Sequence, residues 1–567
     1  MCGIAGIIGY KANEDLLTKM LKSQAHRGPD NTGTFISENT CLGHNRLSII
    51  DLSDSADQPF VDNYNRYQLV FNGEIYNYLE LKSELNYNFK TNSDTEVLLA
   101  AYLKWGEKCL SKLNGMFSFA IYDTKENTLF AARDRFGVKP FYYFKDDTTF
   151  YFASEIKTLF SADIMKEPNK KVWANYFLYG SYGLPNETFW ENINQLSGGH
   201  YLEFKKGELS IQKWYYFEEE IKKYSNLKLT YSEAKKQYTA LLKDSIKLRF
   251  RADVPIGFNL SGGVDSSTLL SLVNQHSNTE NVKAFTFYTG DSNYDELPWV
   301  KEMISFTKNP LEKVLLKIEE IEELASKIAD HQDEPFGGIP TLAYANIFKE
   351  SKKQNVKVLL DGQGMDEQWA GYDYYLSNTN TNTIQGVKKS PFRENVISFK
   401  LSIYSNKPEY PKPFKDELLN KQYRDLFYTK IPRALRFNDR ISMAFSTELR
   451  EPFLDYRLVE FAFSQPLEFK IKDNVQKKMI RDIASEYLKD NISYAPKRTL
   501  QTPQREWLAN ELKEFVTLNL EKIKKSEFAN WFHIDELEKE WEQYKNGDND
   551  SSFHIWQWLN SGLILDK

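Results

Sequence analysis

The chain has 567 residues, 41% hydrophobic and 27% charged, more than one core usually serves at about 150 residues per domain and enough to bury large cores without covalent staples. Its 73 Lys and Arg are outnumbered by 79 Asp and Glu, which excludes the broad positive field that nucleic-acid or anionic-membrane binding needs and favours small-molecule work. Three widely spaced cysteines point to a reducing compartment, and no apolar run approaches the roughly 20 residues of a membrane span.

The opening stretch, MCGIAGIIGY, is apolar, but it lacks a basic start and polar residues from Lys11 to Asp15 cut it short. It is therefore expected to be kept, not cleaved as a secretory signal. Up to about Phe160, short aromatic and β-branched runs predict strands at CGIAGIIGY, GHNRLSII, YQLVFNGEIYN, MFSFAIYD, TLFAARD, FYYFKDD and TFYFAS. Helical periodicity in NEDLLTKMLKSQ and SDTEVLLAAYLKWGEKCL layers helices among them. The Lys-, Glu- and Tyr-rich segment from about Glu203 to Leu229 reads as a tail and linker. The expected organisation is an amino-terminal domain over 1–205, a linker over 206–229 and a second domain over 230–567.

In the second domain SEAKKQYTALLKDSIKLRF predicts a helix, and VPIGFNL, VKAFTFY and VKVLL predict short buried strands, each followed by a loop and a helical stretch. Such alternation makes an α/β parallel sheet, whose ligands sit beyond the carboxyl ends of the strands. From about Phe392 the chain reads as mostly helical, and its Trp-rich end as packing. Ser377 to Gly386, SNTNTNTIQG, reads as a mobile polar loop.

With Met1 removed, Cys2 carries a thiol and a free α-amine, with reference pKa values of about 8.5 and about 8, so the amine can relay the thiol's proton. Arg46 in HNRLSIID has a fork that suits an amino acid's α-carboxylate. The Asn72 amide and the Gly73 N–H in FNGEIYN form a donor pair suited to an oxyanion, and Asp94 in TNSDTE can balance an α-ammonium. Taken singly, Arg46 is equally a surface ion pair, Asn72-Gly73 a hairpin turn and Asp94 a helix N-cap.

In this order the residues resemble the class II glutamine amidotransferase domain of glutamine-dependent asparagine synthetases. The likeness runs through MCGIAGI, AHRGPDNTG, GHNRLSIIDLS, FNGEIYNYLEL, SDTEVLLAAYLKWG, LNGMFSFAIYD, RDRFGVKPFYY and FASEIKTL. It implies an αββα N-terminal-nucleophile fold of α+β class in which Cys2 attacks the glutamine side-chain amide, releases ammonia and leaves a glutamyl thioester for water to hydrolyse. Arg46, Leu47, Ser48, Ile49, Ile50, Asn72, Gly73, Glu74 and Asp94 would hold the glutamine.

LSGGVDSS, from Leu260 to Ser267, follows a predicted strand and opens a helix. Small residues there let backbone N–H groups approach a phosphate, with hydroxyls from Ser261 and Ser266. The lysine and glycine spacing of a Walker loop are absent. Asp265 within an anion-binding loop makes sense if a cation intervenes, and Asp366 in DGQGMDEQWAGY is a second carboxylate for Mg²⁺. SGGVDS resembles the pyrophosphate loop of ATP pyrophosphatase domains, with further likeness in YDELPWV, DRISMAFSTELREPFLDYRLVEF and KKMIR. By that resemblance Leu260 and Phe287 flank adenine, Ser261, Gly262, Gly263, Asp265 and Ser266 meet the phosphates, Asp361 and Gly362 line the nucleotide site, and Lys477 stabilises charge on the acyl-adenylate and pyrophosphate.

Two departures stand out. Asparagine synthetases usually read Ser-Gly-Glu-Gly where this chain has Asp361, Gly362, Gln363 and Gly364, and the glutamate is the group thought to help deprotonate the ammonia adduct. Glutamine cannot accept that proton, which leaves water, phosphate or Glu367. The acceptor-side stretch APKRTLQTPQREW matches the usual Arg-Pro-Lys pattern only loosely. The resemblance implies an ATP- and Mg²⁺-dependent amide synthetase with an internal ammonia channel, making asparagine from aspartate, or else amidating a sugar uronate for surface polysaccharide. It also implies a cytoplasmic dimer.

Overall fold

A computed structural model describes residues 2–225, 227–275, 282–376, 390–496, 502–548 and 550–565. The loop Ser377–Gly386 lies outside them, as does 497–501 of the acceptor-side stretch.

The amino-terminal half stacks two six-stranded antiparallel sheets. One runs in space Asn194–Gln195, Tyr142–Lys145, Thr149–Ala153, Gly3–Gly9, Thr40–Arg46, Asn31–Ser37. The other runs Glu208–Lys213, His200–Lys205, Thr128–Arg133, Gly115–Asp123, Tyr67–Ile75, Phe60–Val61. Side chains alternate between faces along a strand, and the packing follows that period. Ile4, Ile8, Val70 and Ala120 meet between the sheets. Ala5 and Ile7 point the other way, onto Leu17, Met20 and Leu21 of the helix Glu14–Ser23. Leu69, Phe71 and Phe119 likewise pack under the helix Asp94–Trp105. The result is the expected αββα layering.

The segment 206–229, read as a linker, is built into the structure. Glu208–Lys213 pairs with His200–Lys205 as the edge of the second sheet. The helix Phe217–Ser225 lays Phe217 against Phe463, ring centroids 4.9 Å apart. Edge strands carry charge to discourage further pairing, so a Lys- and Glu-rich strand looks like a linker in composition.

The second half holds a five-stranded parallel sheet in the order Leu311–Leu315, Lys283–Tyr288, Ile256–Asn259, Val358–Leu360, Glu448–Arg450. The two outer strands carry no clear strand signal of their own in the sequence. Glu448–Arg450 is three residues long with charged ends, yet all three are buried, so burial rather than propensity makes it a strand. From the central strand Ile256–Asn259 the chain steps to one side, then returns on the other at Val358–Leu360. The loops leaving these two strands, 260–266 and 361–367, diverge at the switch point where ligands bind in open α/β sheets. Helices follow, and the terminal one, Phe553–Ile564, buries Trp556 and Trp558 as packing. Among the described residues no helix is long and apolar enough to cross a membrane.

Candidate active sites

Cys2 lies at the start of the strand Gly3–Gly9 and is buried, which pushes its thiol above the usual range. Its backbone nitrogen donates to Asn72 Oδ1 at 3.0 Å. Asn72 is wholly buried within Tyr67–Ile75, and its Nδ2 has no partner among the described residues. Next to it, a Cβ on Gly73 would meet Met116 O at 2.1 Å, so only glycine fits between these strands.

The other residues expected to hold glutamine are brought to the same corner. The predicted strand ends at Arg46, and Leu47 to Ile50 form a loop whose Leu47 carbonyl faces Cys2 Sγ at 3.9 Å. Ser48 N donates to Asp30 at 2.8 Å, and Ile49 O accepts from Asp253 N of the second half at 2.8 Å. Arg46 is turned toward the loop 51–57: Nη1 donates to Ser53 O at 2.8 Å and Asp57 Oδ1 at 2.7 Å, and Nη2 to Asp51 O. Asp94 is not the helix cap. Ser93 takes that role, while Asp94 accepts from Ile75 N at 2.8 Å and burial raises it to about 6. Glu74 is buried and raised too, by burial and then by Glu448, with Arg450 Nη2 3.5 Å away.

Arg27, from AHRGPDNTG, received no role from the sequence, yet it ties this corner to the other half. It is fully buried, donates through Nε to the Cys2 carbonyl at 3.0 Å, and forks onto Asp439 at 2.9 and 3.2 Å while meeting Glu155 at 2.9 Å. Nothing local marks it, since its sequence neighbours are mostly polar and its partner is 412 residues away.

The second site is a cavity of about 320 Å³ at the switch point. Leu260, Ser261, Gly262, Gly263, Asp265, Ser266, Phe287, Asp361, Gly362, Gln363, Asp366, Glu367 and Lys477 all line it. The helix Val264–Val273 begins at Gly263, which offers no side chain to the first turn, so its amides stay open for an anion. Ser261 and Ser266 hydroxyls sit 3.1 Å apart across the loop. Tyr344, Asn438 and Arg481 also line it.

Lys477 Nζ lies between the two carboxylates, 2.6 Å from Asp265 Oδ2 and 2.6 Å from Asp366 Oδ1. Burial opposes its charge, but Asp265 and Asp366 outweigh burial and hold its pKa above the usual value. Gly371 packs against both, since a Cβ there would meet Asp366 Oδ1 at 1.9 Å and Lys477 Cε at 2.2 Å and both side chains would have to shift. Two carboxylates converging on one cation suit Mg²⁺, which takes one or two carboxylates and fills its shell with phosphate and water. Among the described residues no group of three or more His, Cys, Asp or Glu could hold a metal alone. Glu367 accepts from Tyr372 OH at 2.6 Å and is pushed to about 7 by burial, then by Asp366. Asp361, raised by burial, accepts from Gly362 N at 2.6 Å.

A glutamine amidotransferase domain model matches residues 1–215 and an asparagine synthase model residues 237–566. Asparagine synthetase 1 (glutamine-hydrolyzing) of Bacillus subtilis strain 168 is 30% identical over 617 residues, covering 98% of this chain and 95% of that one. Asparagine synthetase 3 (glutamine-hydrolyzing) of the same strain is 30% identical over 536 residues, covering 88% and 86%. The chain belongs to the glutamine-hydrolysing asparagine synthetase family, ATP-using carbon–nitrogen ligases that take their nitrogen from glutamine.

Proposed function

We propose that this chain makes asparagine from aspartate, glutamine and ATP, releasing glutamate, AMP and pyrophosphate. The observation that carries the glutamine half is Asn72, whose Nδ2 is buried beside Cys2 with no partner among the described residues, where a tetrahedral oxyanion would form. Cys2 attacks the amide, Asn72 and Gly73 stabilise the oxyanion, Arg46 and Asp94 hold the two charged ends, and Leu47, Ser48, Ile49, Ile50 and Glu74 complete the pocket. Arg46 would have to share its fork with the 51–57 loop, which makes the loop part of the glutamine site.

In the second cavity Leu260 and Phe287 flank adenine, while Ser261, Gly262, Gly263 and Ser266 meet the phosphates alongside Asp361 and Gly362. Asp265 and Asp366 would hold Mg²⁺, which when bound neutralises phosphate charge. Lys477 supports the negative charge that develops on the acyl-adenylate and pyrophosphate. Glu367 lines the same cavity and takes the proton that Gln363 cannot. Three free, buried cysteines fit work in the cytoplasm, and the family likeness fits a dimer.

One observation favours a second acceptor. Asp361 and Gln363 replace the usual Ser and Glu in the loop where the acceptor's acyl group reacts, which fits a sugar uronate in place of aspartate. Measuring AMP and pyrophosphate release with aspartate against a panel of uronates decides. Silence with aspartate and turnover with a uronate would replace the first reading.

A further inference from the structure

Between the two sites lies a small void of about 10 Å³, room for one water-sized molecule. Its wall comes from both halves of the chain, with Tyr76, Met116 and Phe136 facing Arg249, Glu451 and Leu454. Met116 is paired across the ladder with Glu74, next to Gly73. On the far side Leu454 packs so tightly on Gly364 that a Cβ there would meet Leu454 Cδ2 at 2.5 Å, and Gly364 lines the nucleotide cavity. The void therefore has the Cys2 corner on one flank and the ATP cavity on the other.

Glu451 is the unusual part of that wall. It is 5% exposed, and its side-chain oxygens have no hydrogen-bond or ion-pair partner among the described residues, although its carbonyl accepts from Leu454 N at 3.1 Å. Most other polar groups at the wall are committed, the exceptions being the Nε atoms of Arg135 and Arg249, which have no partner among the described residues. Asp134 accepts from the N–H groups of Phe117, Phe136, Val138 and Lys139 at 2.9 to 3.1 Å. Asn114 donates to Asp455 at 3.0 Å, and Arg249 donates to Ser245 and Asp455. Burial raises the Glu451 carboxyl to about 8, with Lys139 opposing the rise. A buried carboxyl without a partner is costly, and it is retained where a ligand supplies the missing bond.

The ligand must be the size of water, donate hydrogen bonds and have business on both flanks. We propose that Glu451 is a holding station for ammonia in transit between the two sites, binding it as the ammonium–carboxylate pair. The carboxylic acid gives its proton to the nitrogen lone pair, forming carboxylate and ammonium, and takes it back when ammonia moves on, so no proton is consumed. This rests on the reading that ammonia made at Cys2 is used at the acyl-adenylate. Glu451 follows the strand Glu448–Arg450, whose Arg450 carbonyl accepts from Asp361 N at 2.9 Å, so the station opens beside the loop where that adenylate would form.

Crystals of the full-length protein soaked in thallium(I) acetate, an ammonium-sized cation with a strong anomalous signal, test the site without any acceptor. An anomalous peak at the Glu451 carboxylate in the wild type, weaker in Glu451→Gln and absent in Glu451→Leu, is expected. No peak in the wild type, or an equal peak in Glu451→Leu, overturns the proposal and leaves the void to water. During turnover on glutamine, the AMP formed per glutamate should fall by about fivefold in Glu451→Leu, the effect of one lost hydrogen bond. An unchanged ratio also overturns it. Failure of the underlying reading looks different: glutamate release would be unaltered by Cys2→Ala, while the thallium result would stand or fall alone.

Discussion

The backbone nitrogen of Cys2 and the side-chain oxygen of Asn72 are 3.0 Å apart, and the Asn72 amide nitrogen is left buried with no partner among the described residues. In the proposed reaction Asn72 would hold Cys2 with one atom and offer its other atom to the charge that develops. Replacing Asn72 by Ala should lower kcat for glutamine hydrolysis by about 10² to 10³, with little change in KM. Cys2→Ala should abolish hydrolysis while ammonium-driven AMP formation continues. Glutamate release and AMP release, measured separately, check both. A KM effect that outweighs the kcat effect would assign Asn72 to ground-state binding.

Arg27 couples the halves. Asp439→Asn removes the charge that faces a fully buried guanidinium and leaves Glu155 to balance it. Breaking a buried pair from one side costs about 3–5 kcal/mol, and the remaining Glu155 places the expected loss at the lower end. Urea denaturation should show that loss. Because Arg27 also holds the Cys2 carbonyl, glutamine hydrolysis should fall further than ammonium-driven AMP formation in the same variant. Equal falls would reduce Arg27 to a purely structural role.

If the two carboxylates around Lys477 hold Mg²⁺ as proposed, the two reactions differ in their metal requirement. Chelation with EDTA, or Asp366→Asn, should stop AMP and pyrophosphate release while glutamine hydrolysis persists. Gly371→Ala should do the same without altering any charged group, because its Cβ would displace Asp366 and Lys477 together. Glutamate and AMP assays on each protein check this, and AMP formation that survives chelation would remove Mg²⁺ from the scheme.

His44 is fully buried with Nε2 3.1 Å from the Phe71 carbonyl, and burial lowers its pKa to about 3. The unfolded chain binds a proton here below about 6.5 while the folded chain does not, so stability is lost as pH falls from about 6.5 toward about 3. The slope from this one group is at most about 1.4 kcal/mol per pH unit. His44→Gln should flatten the profile over that window. Denaturation midpoints measured from pH 7 down to pH 4 check it, and parallel curves for the two proteins would refute the assignment.

Much of the architecture was legible because its signals are local. Alternating apolar residues in YQLVFNGEI mark a strand wherever it ends up, and SGG ahead of VDSSTLLSLV marks a loop opening a helix. The strand Glu448–Arg450 was illegible, because a three-residue charged segment becomes a strand only when a neighbouring strand and burial make it one. The edge strand Glu208–Lys213 was hidden for the opposite reason, its exposed charge imitating a linker.

The amino-acid sequence by itself determined which chemistries the chain carries, since a cysteine at the second position, an Asn-Gly pair and an SGG loop ahead of a helix bring their reactive groups with them. Only the tertiary structure decided which charges meet: Arg27 with Asp439, Lys477 between Asp265 and Asp366, and Glu451 facing a void, its carboxyl without a hydrogen-bond partner among the described residues. The strength of a charge depends on its distance to others and on how much water remains around it, and neither quantity exists until distant parts of the chain are packed together.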